Sequence, residues 1–139
     1  MRLAPGARRY LCEVSAGPSA PTLSPAPPSA EAAEAAIARL VEIASPRGAV
    51  LLGPDDEALA ATGERLAWAE AGRRLFAAAD GAGPEPAARV HVATEDGEAF
   101  ALREGGLALV VATARFPLAS LTFSDMRAVL RELRSGAPG

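Results

Sequence analysis

Two short runs made only of apolar residues place the strongest constraint on the fold of this chain. They are residues 49–52 and residues 107–112. Each run is shorter than a typical buried helix and is bordered by turn-forming residues, a pattern typical of a strand buried on both faces of a sheet. We therefore expect these two strands at the centre of a sheet that carries helices on both sides.

The rest of the sequence predicts three helices and three further strands. Ile37, Leu40, Val41 and Ala44 follow a helical period, and Ser29 is placed to cap that helix at its N-terminus. The predicted elements, in chain order, are a helix over 31–44, strands over 49–52 and 58–62, a helix over 64–79, strands over 89–94, 99–103 and 107–113, and a last helix that Ser124 caps after a loop over 114–123.

Every connection between consecutive strands in this order is a short turn, which favours antiparallel pairing. The order α-β-β-α-β-β-β-α therefore predicts an α/β (α+β) fold with a central five-stranded antiparallel sheet covered by helices.

The N-terminal part of the chain differs in composition from the rest. Residues 15–28 contain five prolines, and proline lacks a backbone N–H and favours extended conformations. We divide the chain into a flexible Pro/Ala-rich leader (1–28), a folded domain (29–134) and a disordered tail (135–139). Within the leader, residues 8–14 are strand-like. They form an added edge strand, a small recognition motif or part of a disordered segment, and the sequence favours the last of these interpretations.

Composition limits both the size of the core and the classes of function. Of the 139 residues 34 are alanine, whereas Leu, Ile, Val and Phe together number 30, which suits one domain with a thin core. A net charge of −3 argues against a nucleic-acid-binding protein. No apolar run reaches the ~18 residues of a membrane span, so membrane insertion is not expected. The lone Cys12 cannot form an internal disulfide, which agrees with a reducing cytoplasm.

No pattern in the sequence indicates catalysis. His91 is the only histidine, and one histidine with one cysteine cannot make a tetrahedral zinc site. No serine or cysteine constellation accompanies His91 as a nucleophile. The acidic run 55–57 lacks the spacing of an EF-hand, and the segment 81–83 lacks the ending of a phosphate-binding loop. We therefore predict a protein that is not an enzyme, with no catalytic, cofactor-binding or metal-binding residue.

Several pieces of the folded unit follow one another in a characteristic order. They are a helix end that leads into an apolar strand (46–52), a strand of small residues (58–60), the turn Asp96-Gly97 and a glycine before a second apolar strand (106–111). This order resembles that of the Roadblock/dynein-light-chain family, a relative of the longin and profilin-like folds. The resemblance covers residues 31–133, while the proline-rich loop 80–88 and the leader depart from it.

The resemblance implies a non-enzymatic dimeric scaffold that binds small Ras-like GTPases or motor-complex partners. In such proteins the middle helix and the strand after it meet their two-fold copies. The residues here agree: strand 89–94 is expected to be an unpaired edge, open for strand pairing, and the Ala-rich middle helix lets another helix approach closely. Trp68, at helical spacing with Leu75 and Phe76, is most often a core residue; if it is partly exposed, it is the best candidate for an interface anchor. The candidate dimer or partner interface consists of Trp68, Gly72, Arg73, Leu75, Phe76, Arg89, Val90, His91 and Val92.

A second interpretation places the same fold in another functional class. A ligand-sensing or purely structural α/β module would have no GTPase partner, and a ligand-sensing one would contain a buried apolar pocket. The sequence leaves open the identity of any GTPase, the sign of the regulatory effect, the role of the leader and the choice between a homodimer and a heterodimer.

Overall fold

The computed structural model describes residues 11–16, 28–114 and 118–134, without the side chains of residues 11–13, 15, 16, 65 and 66. The elements in chain order are β1 (Leu11–Ala16), α1 (Ala30–Ala44), β2 (Gly48–Leu52), β3 (Ala58–Ala61), α2 (Arg65–Asp80), β4 (Ala87–Ala93), β5 (Glu98–Glu104), β6 (Leu107–Thr113) and α3 (Ala119–Arg134). In these described ranges, no helix combines the length and the apolar character that a membrane crossing requires.

The strands form one antiparallel sheet in the order β1-β4-β5-β6-β2-β3. From α1 to α3 the elements follow the predicted order α-β-β-α-β-β-β-α, and β2 to β6 are the five predicted strands, which confirms the predicted fold class. β6 and β2 both lie inside the sheet, as their apolar sequences require. The turn between β5 and β6 holds Gly105 and Gly106 at φ 61° and 82°, a region that glycine adopts without strain.

Helices cover both faces of the sheet. α1 and α3 pack against each other on one face, and α2 lies on the other. In β2, Ala49 and Leu51 belong to the core beneath α1 and α3, whereas Val50 and Leu52 belong to the core beneath α2. All four side chains are fully buried. The expectation of a strand buried on both faces is therefore confirmed.

α1 begins where its cap was predicted. The Ser29 side-chain oxygen accepts a hydrogen bond from the backbone N–H of Ala32 at 3.1 Å. Ile37 and Leu40 are buried, but Val41 is 40% exposed, so the buried stripe lies further round the helix than the sequence indicated. Buried alanines such as Ala33 take the place of Val41 in that stripe.

α3 begins earlier than predicted. It starts at Ala119, so the predicted loop is wrong over 119–123 and the predicted cap at Ser124 is wrong. Residues 114 and 118 lie outside the helix, as predicted. Phe123 precedes Met126 by three residues and is buried with it, so the apolar stripe extends one turn toward the N-terminus. Ser124 lies inside the helix with its side chain exposed.

β4 is not an edge strand. β1 pairs with it antiparallel, from Leu11 opposite Ala93 to Ala16 opposite Ala87. The expectation of an unpaired edge at residues 89–94 is wrong, because a segment of the leader already occupies that edge.

β1 shows how part of the leader is arranged. Of the three alternatives for residues 8–14, the structure contains the added edge strand, which covers Leu11–Ala16. The other parts of the predicted leader, 1–10 and 17–27, and the predicted tail 135–139 lie outside the described residues.

Candidate functional site

The candidate site lies on α2. Among the described residues, α2 is the only helix on its face of the sheet. Gly72 lets α2 lie close to the strands, since a Cβ there would be 3.1 Å from Val110 Cγ2 and 3.6 Å from Leu52 Cδ1. Ala69 and Phe76 are buried on the same side of the helix. The sheet-facing side of α2 is therefore fully used in packing within the chain.

The opposite side of α2 is exposed and consists mostly of alanine. Its residues are spaced by three and four, which places them on one continuous stripe. Within this stripe Arg74 Nη2 lies 3.2 Å from Glu70 Oε1, in an ion pair open to solvent. We call this stripe the α2 outer face; it comprises Ala67, Glu70, Ala71, Arg74, Ala77 and Ala78.

Two large apolar side chains, Trp68 and Leu75, lie along one flank of α2 and are half-buried. They are two helical turns apart and so point in similar directions. The Trp68 ring lies over Gly48 at the start of β2, where it fills the space that a Cβ would need. Arg73 lies on the other flank, and its Nε donates a hydrogen bond to the backbone oxygen of Asp56 at 2.8 Å.

An ion pair fixes the C-terminal end of α2 to the strands. Arg103 donates to both Asp80 carboxylate oxygens, at 2.8 and 3.1 Å, and its guanidinium lies 4.0 Å from the centre of the Phe76 ring. Asp80 also accepts a hydrogen bond from the backbone N–H of Ala87 at 2.8 Å. The hydrogen bond from Arg103 is the main cause that lowers the pKa of Asp80 below its ordinary value, and it outweighs the opposing effect of burial.

β4 contributes side chains to both faces of the sheet. Val90 is buried beneath α2, and Val92 is half-buried against the same core. His91 is buried on the opposite face. Arg89 is exposed on that face too, and its guanidinium carbon lies 4.7 Å from the centre of the Phe123 ring, a cation–π distance.

His91 has a carboxylate partner that the sequence analysis missed. Its Nε2 lies 2.6 Å from Glu98 Oε1, with side chains only 8% and 10% exposed. The imidazole stacks on Phe100 at 4.3 Å between ring centres and meets Phe123 edge-on at 6.3 Å. Strand register could have revealed the pair, because Phe100 lies opposite His91 and shares its face of β5 with Glu98. Enclosure by two aromatic rings gives this pair a role in packing and leaves little access for a substrate.

The structure divides the nine predicted interface residues by exposure. Buried within the chain are Gly72, Phe76, Val90 and His91. The others are exposed or half-buried: Trp68, Arg73, Leu75, Arg89 and Val92. A buried side chain reaches a partner only if the chain opens, so the second group alone stays available for an interface. Of that group, Arg89 lies on the opposite face of the sheet from α2.

The described residues hold no group of three or more His, Cys, Asp or Glu side chains that could bind a metal ion. A cleft of about 260 Å³, open to solvent, lies between β1 and the loop after α2, and includes Val14 and Ala79 in its lining. A second open cleft, of about 240 Å³, lies beside the β5–β6 turn. Both are smaller than the ~300–1,000 Å³ of typical small-molecule sites.

The fold and its layers define a Roadblock-like domain, and solved structures of this type are similar to it. A Roadblock/LC7 domain from Streptomyces avermitilis aligns with a TM-score of 0.64 at 19% identity, over 73% of this chain and 94% of that chain. MglB from Myxococcus xanthus aligns with a TM-score of 0.58 at 15% identity, over 75% of this chain and 86% of that chain. At such identities the likeness establishes the fold. No protein-family model matches the sequence, and no curated protein matches it.

Proposed function

We propose that this chain is a non-enzymatic Roadblock-like scaffold that forms a homodimer and binds a small Ras-like GTPase in the cytoplasm. The observation that carries the dimer is the α2 outer face, a continuous stripe of four exposed alanines and one ion pair on a lone helix layer. The GTPase comes from the family resemblance of the sequence and is supported by the Roadblock-like fold.

The α2 outer face is complementary to itself. An antiparallel two-fold arrangement centred near residue 72 sets Glu70 opposite Arg74 of the partner subunit and Ala67 opposite Ala77 of the partner subunit. Such isologous pairing is the commonest symmetry of soluble dimers. Alanine side chains let two helix axes approach to the short end of the ~8–10 Å range of packed helices.

The half-buried Trp68 and Leu75 supply apolar area that the alanines lack. They already pack on the core beneath α2, so they lose little side-chain entropy when a partner covers them. The ion pairs contribute little, since exposed pairs are worth ~0–1 kcal/mol. We therefore assign most of the dimer's stability to this flank and to the close approach of the helices.

The dimer is tested by light scattering coupled to a sizing column at tens of micromolar. The wild-type chain is expected to run as a dimer, and Ala71→Glu is expected to run as a monomer, because it brings two like charges together near the two-fold axis. Ala38→Glu is the matched control, an exposed alanine on α1, and should leave the dimer intact. A strictly monomeric wild-type chain would contradict the proposal.

The GTPase is tested separately, with purified Ras-like GTPases as the probes. The dimer is expected to shift the elution of that GTPase and to change its rate of nucleotide hydrolysis or exchange without donating a catalytic side chain. Alanine variants of the exposed Arg73, Arg74 and Arg89 should therefore leave the catalytic rate of the saturated complex within about twofold of wild type, a difference below about 0.5 kcal/mol. A loss near a thousandfold from one arginine would instead identify an arginine finger.

A further inference from the structure

β1 is held in the sheet by β4 alone. The two strands pair along the whole of β1. In the described chain no helix contacts β1 nearly as extensively as β4 does. Val14 is 41% exposed although it lies opposite the buried Val90. The strand at the other edge, β3, packs against both α1 and α2. Segments with few buried apolar contacts open at a lower free energy than the core, so β1 is the strand that leaves this sheet most easily.

The connection from β1 to α1 is long enough for β1 to reach the sheet of its own chain or that of a second chain. It comprises residues 17–29, thirteen residues of which five are proline. α1 packs on β3, which lies five strand spacings from β1, or about 24 Å at ~4.8 Å per spacing. A chain of thirteen residues reaches at most about 43–47 Å at ~3.3–3.6 Å each. The connection is therefore long enough for β1 to pair either with β4 of its own chain or with β4 of a second chain.

The pairing in the structure identifies the strand that the outer edge of β4 accepts. β1 pairs with β4 over all six of its residues, from Leu11 opposite Ala93 to Ala16 opposite Ala87. We therefore take the segment Leu11–Ala16, and not a second β4, as the occupant of this edge.

We propose that the outer edge of β4 is a strand-accepting site that two copies of this chain fill with each other's β1. The result is a strand-exchanged dimer in equilibrium with the self-paired chain. The donated segment is Leu11–Ala16, and the backbone pairing is the same in both forms, which is the usual basis of domain swapping. This exchange goes beyond the proposed scaffold function and needs neither the α2 outer face nor a GTPase.

A crosslink across the β1–β4 pair tests the proposal. Cys12, the only cysteine, lies opposite Val92. Opposite Cα atoms in antiparallel strands are ~4.5–5.5 Å apart, within the ~4.4–6.8 Å that a disulfide spans. The wild-type chain is mixed with a size-tagged chain carrying Cys12→Ser and Val92→Cys, and the mixture is oxidised with diamide. The control replaces Val92→Cys with Ala93→Cys, one residue along β4 and on its other face.

Exchange predicts covalent heterodimers between the two unlike chains, at about tenfold the yield of the Ala93→Cys control. Their amount should rise with protein concentration, and peptide mapping should identify a bond between positions 12 and 92. A chain that carries both Cys12 and Val92→Cys should give an internal disulfide at low concentration and covalent dimers at high concentration. The mixture should still crosslink when both chains also carry Ala71→Glu, which separates this exchange from the proposed α2 dimer.

Two results would overturn the proposal. One is a mixture that gives no heterodimer above the control up to hundreds of micromolar while the double-cysteine chain forms only its internal disulfide; β1 then pairs only with its own chain. The other is a double-cysteine chain that forms no 12–92 bond in either form, because β1 then does not pair with β4 in solution.

Discussion

Replacing Asp80 by asparagine is expected to lower the free energy of unfolding by about 1–2 kcal/mol at pH 7. The carboxylate accepts hydrogen bonds at 2.8 and 3.1 Å from Arg103 and at 2.8 Å from the backbone of Ala87. Asparagine keeps one acceptor but turns an amide NH₂ toward Arg103, which offers only donors. Hydrogen bonds to charged groups contribute ~1.5–3 kcal/mol, and solvent screens this pair because its side chains are 37% and 27% exposed.

The pH dependence of the difference in unfolding free energy shows whether the Asp80 carboxylate causes that difference. The pKa of Asp80 is lower in the folded chain than in the unfolded one, so its contribution is fully present above the unfolded pKa and is lost as the pH falls through the folded pKa. The difference between wild type and Asp80→Asn should therefore be constant from about pH 7 to about pH 5 and shrink below about pH 4.

Urea unfolding followed by circular dichroism, at a series of pH values, measures this difference. The matched control is Glu70→Gln, which breaks the exposed pair with Arg74 and should cost less than about 0.5 kcal/mol. No difference between wild type and Asp80→Asn at pH 7, or one that persists undiminished near pH 2.5, would refute the reasoning.

Three further substitutions test other parts of the fold by urea or thermal unfolding. Phe100→Ala should lose about 3–5 kcal/mol, because the ring is fully buried between β5 and α3; a loss under 1 kcal/mol would contradict its place in the core. Ser29→Ala should lose about 1 kcal/mol with its N-cap hydrogen bond, whereas Ser124→Ala should lose under 0.5 kcal/mol, and equal effects would be inconsistent with the cap. Gly97→Ala should lose about 1–3 kcal/mol, because Gly97 has φ 155° and a Cβ would lie 2.5 Å from the backbone oxygen of Thr113; a neutral result would show that the turn relaxes.

The centre of the sheet was predictable from sequence because burial alone decides it. β6 has the bounds Leu107–Thr113 in the structure, the same as the prediction, and β2 differs only by starting at Gly48. A continuous apolar run has no stable place except between two layers. The hairpin between β4 and β5 was also predicted at the right place, but its connection is the four residues 94–97 and not a two-residue turn at Asp96-Gly97.

The candidate site was only partly predictable, because periodicity fixes the faces of a helix but not which face meets the sheet. Gly72 and Phe76 lie at the spacing of an interface stripe, yet the structure turns that side toward β2 and β6. The Ala-rich composition of this helix predicted a close approach by another helix, but it did not show which of the alanines are exposed. The partnership of His91 with Glu98 depends on the register of two strands, which hydrophobicity does not specify at polar positions.

The position of β1 at the edge of the sheet makes it a candidate for exchange. The position of an interior strand is fixed by contacts with two neighbouring strands and with the helices on both faces of the sheet. β1 has one neighbour, and its exposed Val14 gains little from burial. Because β1 has this one neighbour and no helix of the described chain packs on it as β4 does, only a small free energy ties it to its own chain. An unpaired strand edge accepts another strand, and the acceptor that fits β1 in register is a β4, either that of its own chain or that of a second copy.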